Sequence, residues 1–449
     1  MMSLSQAAGA VAGRVSGEDA RFTGVSTDTR SIAKGDLFVA LRGERFDGHA
    51  FLAQARDAGA AAALVDARHS GEYPLPVVVV EDTKRALGDL ARHWRARFSP
   101  ALAAVAGSNG KTTVKEMLAS ILRSHAGEQE VLYTQGNLNN DIGLPLTLLR
   151  LRKVHRCCAI ELGMNHKGEI AYLASIARPA VALVNNAQRE HLEFMNSVEE
   201  VAAENAGVYD ALPADGVAVV NADDPQAAYF RKRAGSRRVI DFGLDKPAGV
   251  TGSYVLKGLT SDVTIKTPSG TAKATLAIPG LHNVRNALAA AACAVSLKIS
   301  PEKIGEGLTA FRPYTGRLQV KQAKSGATVI DDTYNANPDS VRAAIDVLAS
   351  CAQPTALVLG DMGEVGSQGD EFHREVGSYA VSKNINKLYA LGEATKHTVA
   401  AFGKGARHFD SVDELVKSVD AKSILVKGSR FMKMERVVAA LTGSAGGAH

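Results

Sequence analysis

The sequence predicts an α/β protein of three units built largely on parallel sheets, and three observations predict it. Strand–loop–helix segments repeat along most of the chain. The strands among them, such as CCAIE and AVALV, are near-continuous apolar runs, as expected of strands buried on both faces of a parallel sheet. A glycine-rich loop, GSNGKTT at 107–113, joins one such strand to an amphipathic helix. With 449 residues the chain exceeds the size at which one core keeps growing, so two or three domains follow.

Residues 1–84 hold short strands and one helix. DLFVALRG (36–43) reads as strand and turn, HAFLAQARDAGAAAALV (49–65) as a helix running into a strand, and PVVVVED as another strand. Residues 85–312 begin a regular alternation. ALAAVAG is a buried strand, and Val114, Met117, Leu118, Ile121 and Leu122 then follow the i, i+3, i+4, i+7, i+8 stripe of an amphipathic helix. CCAIELG, AVALVNN and GVAVVNADD are further strands, and SDVTIKTPSGTAKATLAI reads as an inserted antiparallel hairpin. In residues 313–449, ATVIDDTY, TALVLGDM, KLYALGE and SILVKGS alternate with the helical stretches PDSVRAAIDVLAS and EFHREVGSYAVSK. That pattern predicts a second, Rossmann-like doubly wound sheet, with TGSAGGAH as a disordered tail.

Composition excludes several classes. Hydrophobic residues make up 46% and charged residues 22%, the balance of a soluble globular protein. The net charge of +5 arises from 52 basic and 47 acidic residues spread without a basic block, so no nucleic-acid partner is expected. The N-terminus has no charged segment ahead of an apolar one, and the longest apolar run, ALAAAACAV, falls far short of the ~20 residues needed to span a bilayer. No membrane insertion and a cytoplasmic location are therefore expected. Cys157, Cys158, Cys293 and Cys351 lack metal-ligand spacing and lie among apolar neighbours, which predicts buried reduced thiols.

The loop carries the chemistry. Its G-x-x-G-K-T spacing is shorter than the common G-x-x-x-x-G-K-[ST], and the position where that pattern needs a glycine is Val105. Gly107 and Gly110 let the backbone of Ser108, Asn109 and Thr113 turn its N–H groups inward. Lys111 adds a full charge at a helix N-terminus, and Thr112 a hydroxyl suited to Mg²⁺. A glycine-rich strand-to-helix turn with a capping threonine is the plain alternative. Glu161 ends a buried strand, the usual place for a Mg²⁺ carboxylate beside such a loop.

The loop form G-x-[ST]-N-G-K-[ST]-[ST] resembles that of the Mur ligases and their relatives, the folylpolyglutamate synthetases, and the resemblance extends over nearly the whole chain. STDTRSIAKGDLFVALRGERFDGHAF (26–51) is similar to the uridine-nucleotide module of the ligases that add the third and last peptide units to the murein precursor. TQGNLNNDIGLPLTLL, IELGMNHKGEI and NNAQREHLE resemble successive motifs of the family's central ATPase domain. IPGLHNVRNALAA, YTGRLQV, IDDTYNANPDS and LGDMGEVG complete the set, with DDTYNANP and LGDMGE in the form of the last-step ligases. The DNP motif of the third-step ligase is absent.

This resemblance implies three domains: 1–84 binding the UDP substrate, 85–312 the ATPase, and 313–449 Rossmann-like. It implies ATP-dependent joining of D-alanyl-D-alanine to UDP-N-acetylmuramoyl-tripeptide through an acyl phosphate, with ATP and Mg²⁺ as cofactors and a monomeric enzyme. Lys111, Glu161 and His191 would be catalytic, with Thr112 and Glu161 on one Mg²⁺ and His191 on a second. Asn286 would contact adenine, Arg317 a phosphate, Asp332 (ahead of Asp331) the ribose, and Tyr334 the nucleotide face. Asn137, Asn139 and Asn140 would face the γ-phosphate and the muramoyl peptide. Ser26, Thr27, Asp28, Arg30, Asp47, Gly48 and His49 would form the uridine and pyrophosphate pocket. Plain readings stand beside these: a helix cap for Asn286, caps and turns for the asparagine cluster, a cap or core residue for His191.

One position departs from the family. Many Mur ligases carry a carbamylated lysine fourteen residues after the motif histidine, and here that position is Asn205. Asparagine cannot be carbamylated, so activity independent of bicarbonate is expected, with Asn205 able to hold a metal-bound water. Another amide ligase of the superfamily, third-step or folylpolyglutamate-like, and a non-catalytic nucleotide-binding protein on this fold remain alternatives.

Overall fold

The computed structural model describes residues 1–44 and 46–443; the expected disordered tail lies, from residue 444 onward, outside the described residues. The alternation of apolar strands with helices produces three open sheets. The first has the order Arg14–Ser16, Val77–Val80, Ala62–Asp66, Asp36–Val39, Gly24–Ser26, antiparallel only at the Arg14–Ser16 edge. A helix over Leu4–Ala10, not anticipated from periodicity, starts in a capping box between Ser3 and Gln6.

The central sheet is parallel throughout, in the order Val131–Tyr133, Cys157–Glu161, Ala101–Ala106, Val181–Val184, Val217–Asn221, Arg238–Phe242. Successive side chains of a strand point to opposite faces. Ala103 and Val105 accordingly join one core, with helices Lys111–Ala126 and Leu281–Ser296, while Leu102, Ala104 and Ala106 join the other. That second core also takes Leu87, Leu90 and Trp94 of the helix Thr83–Arg95. Trp94 Nε1 donates to the Leu151 carbonyl at 3.1 Å, so this helix is fastened to the central unit, and the boundary expected after residue 84 falls in its first turn. The inserted hairpin is present as Thr260–Thr267 and Gly270–Leu276, with a further strand, Thr251–Lys257, making it three-stranded.

The third sheet has the order Gln319–Gln322, Thr328–Asp332, Ser423–Lys427, Thr355–Gly360, Lys387–Leu391, Ala406–Phe409, parallel except at its first edge. Ile330, Leu357 and Leu359 of this sheet pack into the same core as the central helix Leu281–Ser296, so the two units share an apolar seam. In both sheets the polar residues of interest follow the carboxyl ends of strands, where the connections diverge and leave a crevice.

Among the described residues no helix is long and apolar enough to cross a membrane. The four cysteines are unpaired; Cys157, Cys158 and Cys293 are buried, and Cys351 is half-buried rather than enclosed as expected. Burial pushes the Cys158 thiol up to about 12, which keeps it protonated and inert.

Candidate functional site

The phosphate loop leaves the strand Ala101–Ala106 and enters the helix Lys111–Ala126 through two glycines in the left-handed region, Gly107 at φ +128° and Gly110 at φ +82°. A Cβ on Gly107 would stand 2.9 Å from the Asn185 amide nitrogen, and one on Gly110 2.8 Å from Asn185 Nδ2, so neither position has room for a side chain. The helix opens at Lys111, and its N-terminal N–H groups face the crevice.

Thr112 and Glu161 meet as expected: Thr112 Oγ1 donates to Glu161 Oε1 at 3.2 Å, and Asn139 Nδ2 donates to the same oxygen at 2.7 Å. The other carboxylate oxygen, Oε2, is buried without a hydrogen-bond partner among the described residues. An unsatisfied buried carboxylate oxygen beside a threonine hydroxyl fits a hard cation. Mg²⁺ usually takes one or two protein oxygens and completes its shell with phosphate and water. No group of three or more His, Cys, Asp and Glu side chains converges as a cation cage among the described residues.

Residues 185–191 form the second wall of the loop, a role the motif NNAQREHLE did not disclose beyond its histidine. Asn109 N donates to Asn186 Oδ1 at 2.8 Å, Asn109 Nδ2 to Gln188 Oε1 at 2.7 Å, and Gln188 N to Ser108 Oγ at 3.0 Å. Lys111 Nζ donates to the Ser108 carbonyl at 2.9 Å and lies 3.2 Å from Glu190 Oε1. His191 takes a left-handed backbone (φ +53°) and sets its Nδ1 2.7 Å from Glu364 Oε2 of the third unit. That histidine holds the Glu364 carboxyl below the ordinary glutamate value.

Asn205 stands behind the phosphate loop. It is 1% exposed, its Oδ1 accepts from Gly107 N at 2.7 Å and its Nδ2 donates to the Val201 carbonyl at 3.0 Å. One hydrogen bond at each end of the amide ties the loop glycine to the helix that carries Asn205.

The third unit completes the crevice. Arg317 Nη2 reaches Thr112 Oγ1 at 3.4 Å, its guanidinium lies 3.9 Å over the Tyr334 ring, and its Nε is buried without a partner among the described residues. Burial raises the Tyr334 hydroxyl above its usual value. Asn337 caps the helix Pro338–Ala349 and exchanges amide hydrogen bonds with Asn109 of the phosphate loop, at 2.9 and 3.3 Å. Arg189 bridges the seam to Asp339 at 2.6 Å and Glu375 at 2.7 Å, two carboxylates that raise its pKa further. Asp332 is bonded to Lys427, whose Nζ lies 2.5 Å away, while Asp331 is turned to Lys321 at 2.6 Å.

Two cavities flank the loop. One, of about 530 Å³, is lined by Thr113, Asn186, Asp224, His282, Asn286 and Asp332. The other, of about 510 Å³, is lined by Lys111, Thr112, Glu161, His191, Asn137 and Tyr334. Asn286 reaches the first, but its amide already accepts from Asn185 at 3.1 Å and donates to Asn283 at 3.0 Å. Burial pulls His282 down to about 4, which leaves a neutral ring in that cavity, and raises the Asp224 carboxyl. In the second cavity Asn139 and Asn140 are lining residues as well, though Asn140 Oδ1 also caps Gly143 N at 2.9 Å.

The expected uridine residues behave differently, since none of the seven lines either cavity. Ser26 Oγ exchanges hydrogen bonds with the Asp28 backbone, Thr27 is half-buried beside it, and Arg30 folds onto Asp28 at 2.6 Å, largely in solvent. Gly48 packs so tightly that a Cβ would lie 2.8 Å from the Leu41 carbonyl. His49 is buried with both ring nitrogens engaged: Nδ1 lies 2.6 Å from Asp47 Oδ1, and Nε2 accepts from Asp66 N at 3.0 Å. These two contacts tie the His49 ring to Asp47 and to the Asp66 backbone.

Three family models match the chain: the Mur ligase family catalytic domain over residues 21–95, the Mur ligase middle domain over 105–294 and the Mur ligase glutamate ligase domain over 316–430. UDP-N-acetylmuramoyl-tripeptide–D-alanyl-D-alanine ligase of Escherichia coli K12 is 40% identical, with 98% of each chain covered. The protein of the same name in Bacillus subtilis 168 is 35% identical, with 92% of each covered. A crystal structure of MurF from Acinetobacter baumannii superposes with a TM-score of 0.91 at 34% identity over 98% of each chain. The MurF ligase of Thermotoga maritima in complex with ADP superposes at 0.82 and 26% identity, over 94% of this chain and 97% of that one.

Proposed function

The chain belongs to the Mur ligase family, and we infer that it is an ATP-dependent ligase joining D-alanyl-D-alanine to UDP-N-acetylmuramoyl-tripeptide in peptidoglycan precursor synthesis. It forms one C–N bond and releases ADP and phosphate. The observation that carries the chemistry is the convergence on one cavity of Lys111, the Thr112–Glu161 pair and, from the other unit, Arg317.

The tripeptide's terminal carboxylate attacks the γ-phosphorus and gives an acyl phosphate. The dipeptide amine then adds to the activated carbonyl, and the tetrahedral intermediate collapses with loss of phosphate. The protein contributes positioning and fixed charge rather than covalent chemistry. Lys111 and Arg317 meet the phosphates from opposite sides of the crevice, and the loop N–H groups hold them in register. Thr112 and Glu161 would hold one Mg²⁺ and His191 a second, supplying charge neutralisation at the transferring phosphoryl group and the attacking carboxylate. Asn137 and Asn139 face the reacting end of the peptide, and the cavity with Asn286 and Asp332 takes the nucleoside. Residues 1–84 recognise the UDP moiety, 85–312 bind ATP and 313–449 close the site. We place the enzyme in the cytoplasm and read it as a monomer; both halves of the nucleotide crevice come from one chain, so the site needs no second copy.

Phosphate release from ATP by the purified protein tests this, with UDP-N-acetylmuramoyl-tripeptide and D-alanyl-D-alanine added singly and together. Release that requires both supports the reading; release with glutamate and a folate in their place overturns it.

A further inference from the structure

Lys427 is a buried amine to which neither motif nor mechanism has so far assigned a role. It ends the strand Ser423–Lys427 after four buried residues, is 3% exposed, and stands in register with Asp332 at the carboxyl end of the neighbouring strand. Its Nζ donates to Asp332 Oδ2 at 2.5 Å and to the Asn335 carbonyl at 2.8 Å. An ammonium takes three hydrogen bonds, so two partners leave it one donor short. Burial pulls its pKa below that of an ordinary lysine while the Asp332 carboxylate opposes the shift.

Its position is informative. The two cavities at the phosphate loop share only a narrow set of lining residues: Asn109, Gly110, Arg317, Ser340 and Lys427. The first cavity is the one assigned above to the nucleoside, and the second holds Lys111, Thr112 and Glu161. A nucleoside triphosphate occupying both must thread its polyphosphate through this junction. The cations there are Arg317 and Lys427, both from the third unit. A buried ammonium with a spare donor beside a passing polyanion gains a charge-assisted hydrogen bond.

We propose that Lys427 is a substrate-contacting residue of the ligase, its ammonium binding the nucleotide's polyphosphate where the two cavities join. Asp332 holds the amine in place and keeps it charged when no nucleotide is present. Because the strand belongs to the third unit, a bound nucleotide adds a further tie between that unit and the phosphate loop. The inference rests on the ligase reading, which supplies ATP as the ligand.

The competing explanation is that Lys427 merely neutralises Asp332, and a double substitution separates the two. Titration calorimetry with ADP and with adenosine is carried out on wild type, Lys427→Met, Asp332→Asn and the Asp332→Asn/Lys427→Met pair, alongside thermal melts. The proposal predicts that Lys427→Met weakens ADP about 10- to 100-fold while adenosine affinity holds. It also predicts that the double variant regains thermal stability while its ADP affinity, referred to its own adenosine affinity so that any loss of the Asp332 ribose contact cancels, does not recover. Recovery of ADP affinity in the double variant overturns it, as does equal loss for ADP and adenosine, or wild-type ADP affinity in Lys427→Met. A wild-type protein that fails to bind ADP overturns the ligase reading itself.

Discussion

The seam between the central and third units and the charged cluster of the first unit both carry the residue types of a binding site, yet their polar groups are used in opposite ways. At the seam, Glu161 Oε2 and Arg317 Nε are buried without partners among the described residues, and both sit on a cavity. In the first unit, Asp28 is closed on Arg30, and His49 has Asp47 on one nitrogen and the Asp66 amide on the other. Burying an unsatisfied polar group costs free energy, and two such groups of opposite charge on one cavity mark a place where a ligand can satisfy both. A cluster whose members satisfy one another holds the chain together.

Four measurements bear on that contrast. Lys111→Met should cost about 100- to 1000-fold in kcat with the fold intact by circular dichroism, as loss of a preorganised charge does. His49→Ala should cost stability instead, about 1–3 kcal/mol in denaturant melts, by leaving Asp47 and the Asp66 amide without their partner. The kcat and KM of the molecules that stay folded should be unchanged; a selective rise in KM for the UDP substrate would move His49 into the binding site. The Arg189–Glu375 link across the seam is half-exposed and should be worth only roughly 0.5–1 kcal/mol. Its hydrogen bond to Arg189 holds the Glu375 carboxyl below the ordinary 4.5. The contribution is therefore fully present above that value and lost as pH falls through the lower, folded-state value. Melts of wild type and Glu375→Gln should differ at neutral pH and converge in acid. Smallest of all, removal of dissolved bicarbonate should leave turnover unchanged, because Asn205 cannot form a carbamate and is committed to Gly107.

The central and third sheets were legible because their strands are long apolar runs, and the phosphate loop because its parts lie within seven residues. The helix Leu4–Ala10 is shorter than a periodicity window, although the Ser3–Gln6 capping box marks its start. Lys427 and Asp332 are 95 residues apart and meet only because their strands pair, so sheet order had to be known first. The one local signal for Lys427 was a lysine ending the apolar run SILV, where a charge is costly unless it is held. Asn337 and Gln188 escaped notice for a similar reason: each is an ordinary cap or loop residue until the seam brings it to Asn109. For the first unit, the motif identified the segment but not the bonding inside it. Asp47 caps the turn at Gly48–Phe51, and that geometry points His49 inward.

Oxygen labelling shows whether the seam passes a phosphoryl group to a carboxylate. The tripeptide is prepared with ¹⁸O in its terminal carboxylate and turned over with ATP and D-alanyl-D-alanine, and the released phosphate is analysed by mass. An acyl phosphate requires one carboxylate oxygen to leave with phosphorus, so phosphate carrying a single ¹⁸O is the predicted result. Unlabelled phosphate accompanying amide formation would mean that ATP is cleaved by water, and would contradict the account.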